Sequence, residues 1–245
     1  GQQFCGWVRV GHRPAENTLS VTVSESLLPV LPEVLARIKN LFDLYCEPKA
    51  VYETLQVMNT LQPGLCVLGT RLPGCFNVFE MSVRAVLGQQ ITVKAASTLA
   101  ARLVAVYGTQ VQTGIEGLTH SFPAPAAILA LGENISEHLG KLGIISARAN
   151  TIYQLARVLA DEKNDFGFCG NPEEEMQKLQ AIRGIGSWTA QYIAMRAMGW
   201  PDAFLPTDAG IKKALPDHTP KELQVLSEAW RPWRSYATVN LWNTL

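Results

Sequence analysis

Strand-like sequence ends at Pro48. From there to the end of the 245-residue chain the pattern is one of amphipathic helices punctuated by proline and glycine. A switch of hydrophobic period from two to about 3.6 residues restricts the body of the molecule to helix packed on helix. Phe76–Leu87, Val93–Val106, Ala124–Ala130, Ala147–Leu159 and Glu173–Ala181 all carry apolar residues at helical spacing. Ahead of Pro48, Trp7–Val10 and Leu19–Val23 alternate like strands around the turn-rich Gly11–Asn17, which predicts a β-hairpin. Val30–Leu44 then places Leu31, Val34, Leu35, Ile38, Leu41 and Phe42 on one helical face, expected to bury against that sheet. The expectation is a mainly α fold with a small N-terminal α+β domain over residues 1–48. Residues 108–123 and 162–172 read as long polar loops, and no internal repeat is visible.

Lys plus Arg number 21 and Asp plus Glu 21, so the formal net charge is zero. A global electrostatic coat on nucleic acid is thereby excluded, and any binding to DNA must come from a local basic, amide-rich face. With 47% hydrophobic and 17% charged residues, the chain is expected to fold throughout. The five cysteines, Cys5, Cys46, Cys66, Cys75 and Cys169, are scattered without a CxxC pair. They predict free buried thiols in a reducing cytoplasm, with no iron–sulfur cluster and no metal held by side chains. No apolar run is long enough to cross a bilayer and the start carries no signal core, so a cytoplasmic protein with no membrane partner is expected. Because the chain begins without Met and enters a strand almost at once, further residues are expected upstream.

One helical pattern breaks at Ile182-Arg183-Gly184-Ile185-Gly186 and resumes near Ser187. Glycines there allow backbone conformations closed to other residues and a close approach of a ligand, while the amides opening the next helix point outward with the positive end of its dipole. That arrangement suits a phosphate; the plainer alternative is an αα-corner with Gly184 as a C-cap. Arg183, Ser187 and Thr189 add a charge and two hydroxyls on the same side, which favours phosphate binding. Trp188 and Tyr192 lie one turn apart on the second helix, close enough to the grip to hold an unstacked base. Trp230 and Trp233 are better explained as packing a helix start. Downstream, Asp208 in Pro206-Thr-Asp-Ala-Gly210 opens another helix. It either caps that helix or, favoured as an anion by the helix dipole, faces a cleft where a fixed carboxylate stabilises an oxocarbenium ion.

Longer stretches carry a family likeness: Leu41-Phe-Asp-Leu44, Arg71-Leu-Pro-Gly74, Phe79-Glu80, Val83–Gln89, Gly184–Ala190, Phe204-Leu-Pro206 with Asp208, and Trp230–Ala237. Over nearly its whole length the chain resembles the bacterial 3-methyladenine DNA glycosylase II (AlkA) family of the helix-hairpin-helix glycosylase superfamily. The resemblance implies two helical subdomains around a DNA-binding cleft, residues 77–200 forming one and 49–76 plus 201–245 the other. It implies that Asp208 is the catalytic carboxylate and that Trp188, Tyr192 and Trp242 line the pocket for a flipped base. Arg183, Gly184, Gly186, Ser187 and Thr189 would hold a DNA phosphate. No cofactor is required, although a structural sodium or potassium ion is implied at the main-chain carbonyls of Gln180, Ile182 and Ile185.

The implied activity is excision of alkylated purines from double-stranded DNA by base flipping and hydrolysis, the first step of base excision repair. Trp188 stands where strand-cutting members carry a lysine, so a monofunctional enzyme without lyase activity is expected. Set against that family, the resemblance implies that Gln90 takes the position of an intercalating leucine, with Ile91 beside it, the plainer alternative being that Gln89 and Gln90 only cap or connect helices; Ala209 stands where the family pattern has an aromatic next to Asp208. A monomer is expected, with an upstream fused alkyl-transfer domain as one arrangement. Alternatives are a glycosylase for oxidised or deaminated bases and a non-catalytic DNA-binding scaffold.

Overall fold

The computed structural model describes residues 4–160 and 171–245. β1 (Val8–Arg13) and β2 (Thr18–Val23) pair antiparallel, from Val8 opposite Val23 to Arg13 opposite Thr18. Asn17, at φ 50, makes the tight return. Val8, Val10, Val21 and Val23 share one sheet face, and that face covers Leu27, Val34 and Ile38. The helix α1 (Leu31–Leu41) stops three residues short of the expected end, because Asp43 adopts a left-handed φ of 52 and turns the chain away. Of the six apolar positions expected to be buried on α1, Val34 and Ile38 are, while Leu35 and Phe42 are 37% and 38% exposed. A two-stranded sheet is wide enough to cover only one i, i+4 row of a helix.

Beyond this unit lie α2 (Pro48–Leu55), α3 (Val78–Leu87), α4 (Val93–Tyr107), α5 (Pro125–Leu129), α6 (Ile135–Gly140) and α7 (Ser146–Leu159). They are followed by α8 (Pro172–Gln180), α9 (Ser187–Arg196), α10 (Ala209–Ala214), α11 (Pro220–Leu226) and α12 (Arg234–Trp242). The five helices expected from periodicity after Pro48 are all present, within two residues at each end. Side chains fix their starts: Asn77 accepts from the Glu80 amide at 2.8 Å, and Thr92 from the Ala95 amide at 3.2 Å. The stretch 108–123 is not wholly loop, since β3 (Thr109–Gln110) pairs with β4 (His120–Ser121). Residues 161–170, which include Cys169 and most of the second expected loop, lie outside the described residues. Cys66 is buried and Cys46 and Cys75 are half-buried, but Cys5 is exposed, a correction to the expectation of buried thiols throughout.

Buried apolar residues form two large cores. One draws on residues 79–197 and is centred on α7, whose Ala149, Ile152, Leu155 and Ala156 are all fully buried. The other combines residues 51–72 with 195–241. α9 belongs to both: Ala190, Ile193 and Ala194 enter the first core and Met195 the second. Two polar anchors set the position of α12. Arg234 grips Asp202 through paired contacts of 2.7 and 2.9 Å, both residues being buried. Two residues on, the Tyr236 hydroxyl donates to Asp43 at 3.0 Å, and burial holds that hydroxyl protonated far above the ordinary tyrosine range.

Candidate active site

The segment between α8 and α9 is a helical hairpin. Gly184 has φ +95, and a Cβ there would stand 2.0 Å from the Thr151 hydroxyl, so both backbone and packing require glycine. Thr151, on α7, donates to the Arg183 carbonyl at 2.9 Å and props the turn from behind. Gly186 caps α9, and a Cβ on it would meet nothing within 4 Å. Open space therefore lies directly before the N-terminus of α9, whose leading amides have no helical acceptor. Arg183 and Ser187 are exposed at this turn. Thr189, expected to offer its hydroxyl to a phosphate, is instead 3% exposed and accepts from the Gln89 side-chain amide at 2.9 Å. Two positions beyond the exposed Ser187, Thr189 falls on the buried side of α9, and its oxygen receives the Gln89 amide there. Of the carbonyls expected to face a cation, that of Ile182 accepts from the Ile185 amide at 3.0 Å, which leaves it a second lone pair.

Beside the hairpin opens a cleft of about 1490 Å³. Gly186, Trp188, Tyr192, Asp208 and Trp242 lie on its wall, and Gln90 and Ile91 on the wall formed by the α3–α4 connection. The sequence separates these residues by as much as 152 positions, Gln90 to Trp242, and the fold places them around one space. Gln90 is exposed with φ 54, an uncommon conformation for a side chain of its size.

Asp208 is both a helix cap and a cleft residue, so the two readings its sequence context allowed are compatible. Its Oδ1 accepts from the amides of Gly210 and Ile211 at 2.9 and 3.1 Å and from the indole N–H of Trp242 at 2.8 Å. Oδ2 accepts from the Trp188 indole at 3.0 Å. Four N–H donors thus fix a carboxylate that is only 9% exposed. Oδ1 is used up by the cap and Trp242, while Oδ2 receives one donor and keeps acceptor capacity.

The aromatic residues are also fixed. Trp188 and Tyr192 stack at 5.2 Å with planes 10° apart, and Tyr192 meets Trp242 at 6.3 Å and 46°. With their facing surfaces already occupied by each other, Trp188 and Tyr192 form a wall against which a base can lie, not a slot it could enter. The Arg196 guanidinium sits 5.8 Å over the Tyr192 ring. Burial pushes the neighbouring Cys75 thiol up to about 11, so it is an inert packing group.

Sequence reasoning missed three contributors. Gly210 is one: a Cβ there would fall 2.7 Å from Trp242 Cδ1 and 2.9 Å from its Nε1, so the indole reaches Asp208 only because this residue is glycine. A glycine in the first turn of a helix was the available signal. Gln89, whose amide bridges to the hairpin, stands in the Val83–Gln89 stretch but nothing there announces the bridge, and Arg148, which donates to the Gln89 carbonyl, carried no signal.

Residues 2–77 match the AlkA N-terminal domain family, and residues 83–234 match the HhH-GPD superfamily of base excision DNA repair proteins. The chain is 38% identical to DNA-3-methyladenine glycosylase 2 of Escherichia coli K12, over 94% of this chain and 78% of that one. A probable bifunctional transcriptional activator/DNA repair enzyme AlkA of Mycobacterium tuberculosis H37Rv is 40% identical, over 86% of this chain but 42% of its own length. Among solved structures, a 3-methyladenine DNA glycosylase from Archaeoglobus fulgidus superposes with a TM-score of 0.77 at 23% identity, covering 96% of this chain and 81% of that one. An 8-oxoguanine glycosylase/lyase from Clostridium acetobutylicum, bound to double-stranded DNA, reaches 0.74 at 18% identity, covering 97% and 80%. At these identities the two structures share the fold alone.

Proposed function

The chain belongs to the HhH-GPD superfamily of base excision DNA repair proteins, and from that membership we propose that it is a monofunctional DNA glycosylase for alkylated purines of the 3-methyladenine type. The observation that carries this reading is the Asp208 carboxylate, held by two indoles on the wall of an aromatic cleft, beside the open space that precedes α9. DNA docks by a backbone phosphate at the leading amides of α9, with Arg183 and Ser187 at the edge. Gln90, with Ile91 next to it, enters the duplex as the damaged nucleotide swings out, at a stacking and pairing cost of a few kcal/mol that damage reduces. Alkylation at N3 or N7 makes the purine cationic, which suits the aromatic wall of Trp188, Tyr192 and Trp242 and weakens the glycosidic bond. As that bond breaks, its electron pair leaves with the base, and positive charge grows on the sugar. The spare acceptor capacity of Asp208 Oδ2 stabilises that charge, and water then attacks the sugar carbon.

Among the described residues, no lysine lines the cleft; Trp188 occupies the position after Ser187. This supports hydrolysis without a Schiff base, hence an intact abasic product. Borohydride should therefore trap no covalent protein–DNA adduct, and a trapped adduct would overturn the monofunctional reading. Release of base from alkylated, oxidised and deaminated duplexes, measured side by side, tests the substrate class: alkylated purines are expected to dominate. The carbonyls of Gln180, Ile182 and Ile185 would hold a monovalent cation at the hairpin, where it adds positive charge facing the phosphate. The enzyme works as a monomer in the cytoplasm.

A further inference from the structure

From the geometry we infer that Gln89 is a positioning residue that locks the wedge to the phosphate grip, with α7 as their common base. The inference rests on the reading of Gln90 as the wedge. Gln89 Nε2 donates to the Gly184 carbonyl and to the Thr189 hydroxyl, each at 2.9 Å, across the gap between the α3–α4 connection and the hairpin. The Gln89 carbonyl in turn accepts from Arg148 on α7. One turn further along the same helix, Thr151 donates to the Arg183 carbonyl at 2.9 Å and packs under Gly184. The residue that follows Gln89 is the wedge itself, and its φ of 54 persists only where neighbouring contacts hold the backbone.

α7 thus sets where both elements stand, Arg148 beneath one and Thr151 beneath the other, and Gln89 ties them directly. A phosphate bound at the hairpin and a side chain pushed into the stack must act at a fixed separation for the push to move the nucleotide rather than the loop. Gln89 has no part in bond breaking, so its effect belongs to the flipping step alone. It should disappear when there is no pair to open.

The test uses the intact chain and two duplexes, one with 7-methylguanine opposite cytosine and one with it opposite a tetrahydrofuran abasic analogue. Gln89→Leu keeps the size and removes the amide; Arg148→Met removes the second tether. In single-turnover release each variant is expected to lose about tenfold on the paired target and little on the unpaired one, with the melting temperature close to wild type. An equal loss on both targets would mean a merely structural or chemical role, and no loss on either would mean no coupling; both overturn the inference. Gln90→Ala separates it from its premise: if that variant is unaffected on the paired target, the wedge reading fails first. A wild-type protein that releases nothing ends the glycosylase reading, and this inference with it.

Discussion

At Asp208, chemistry and architecture share one side chain. Asp208→Asn replaces one acceptor oxygen with an amide that must face an N–H. Keeping the cap on Oδ1 turns that amide toward Trp188, so the variant loses the carboxylate and unseats an indole together. Base release is expected to fall at least about a hundredfold while binding to an abasic-site duplex survives; unchanged release would overturn the catalytic assignment. Gly210→Ala separates the two effects. It keeps the carboxylate and its charge and drives a methyl chiefly against the Trp242 indole, 2.7 Å from Cδ1, with a looser approach of 3.0 Å to Asp208 Oδ1. A drop of roughly three- to tenfold in single-turnover rate, matched by Trp242→Phe and not additive with it, is the expected outcome. The residue types at this site were legible: a carboxylate opening a helix and aromatics spaced by one turn. The bonds that join them were not, because Trp188 and Trp242 lie 20 and 34 positions from Asp208, and only packing decides which indole edge turns toward it.

Among the elements, the hairpin shows what local sequence encodes and what it leaves to its neighbours. Gly-Ile-Gly between two periodic segments announces a turn with glycine-only geometry, and Gly184 has it. That Thr189 is spent on Gln89, and that Thr151 occupies the space a Cβ at Gly184 would need, depends on helices some thirty to a hundred residues away in sequence. The long, strongly periodic helices α3, α4, α7 and α8 were equally readable. Among the short helices only some were: α5, five residues long, was legible, whereas α2, α6 and α11, of eight residues or fewer, were not singled out, since so few positions barely separate period from chance. Gly184→Ala is expected to destabilise by about 2–3 kcal/mol from strained φ and the collision with Thr151 together. Adding Thr151→Ala should recover the steric part only. Thermal unfolding of both single variants and the double variant resolves the two terms, and a cycle without coupling would show that the collision is relieved some other way.

Across the whole molecule, the buried pair of Asp202 and Arg234 governs the site from a distance, because it fixes the start of the helix that ends in Trp242. Arg234→Met leaves a buried carboxylate with its main partner gone, and a loss of about 3–5 kcal/mol is expected in denaturant unfolding. Arg231, half-exposed and 2.9 Å from the same carboxylate, softens the loss. If Arg234→Met unfolds like wild type, the pair does not anchor α12.

The division of the two cores along the chain has a kinetic consequence. The second core is assembled from residues 51–72 and 195–241, so its two halves are separated by the entire span that builds the first. Bringing them together in an unfolded chain means closing a loop of more than a hundred residues. If the span between them folds first, α9 delivers the second half to its partner and most of that entropy has already been offset. Folding should therefore run in a fixed order, with amides in α3 and α7 protected before those in α2 and α12 in pulsed hydrogen exchange. The cleft, whose walls come from both cores, would then be the last part of the enzyme to exist.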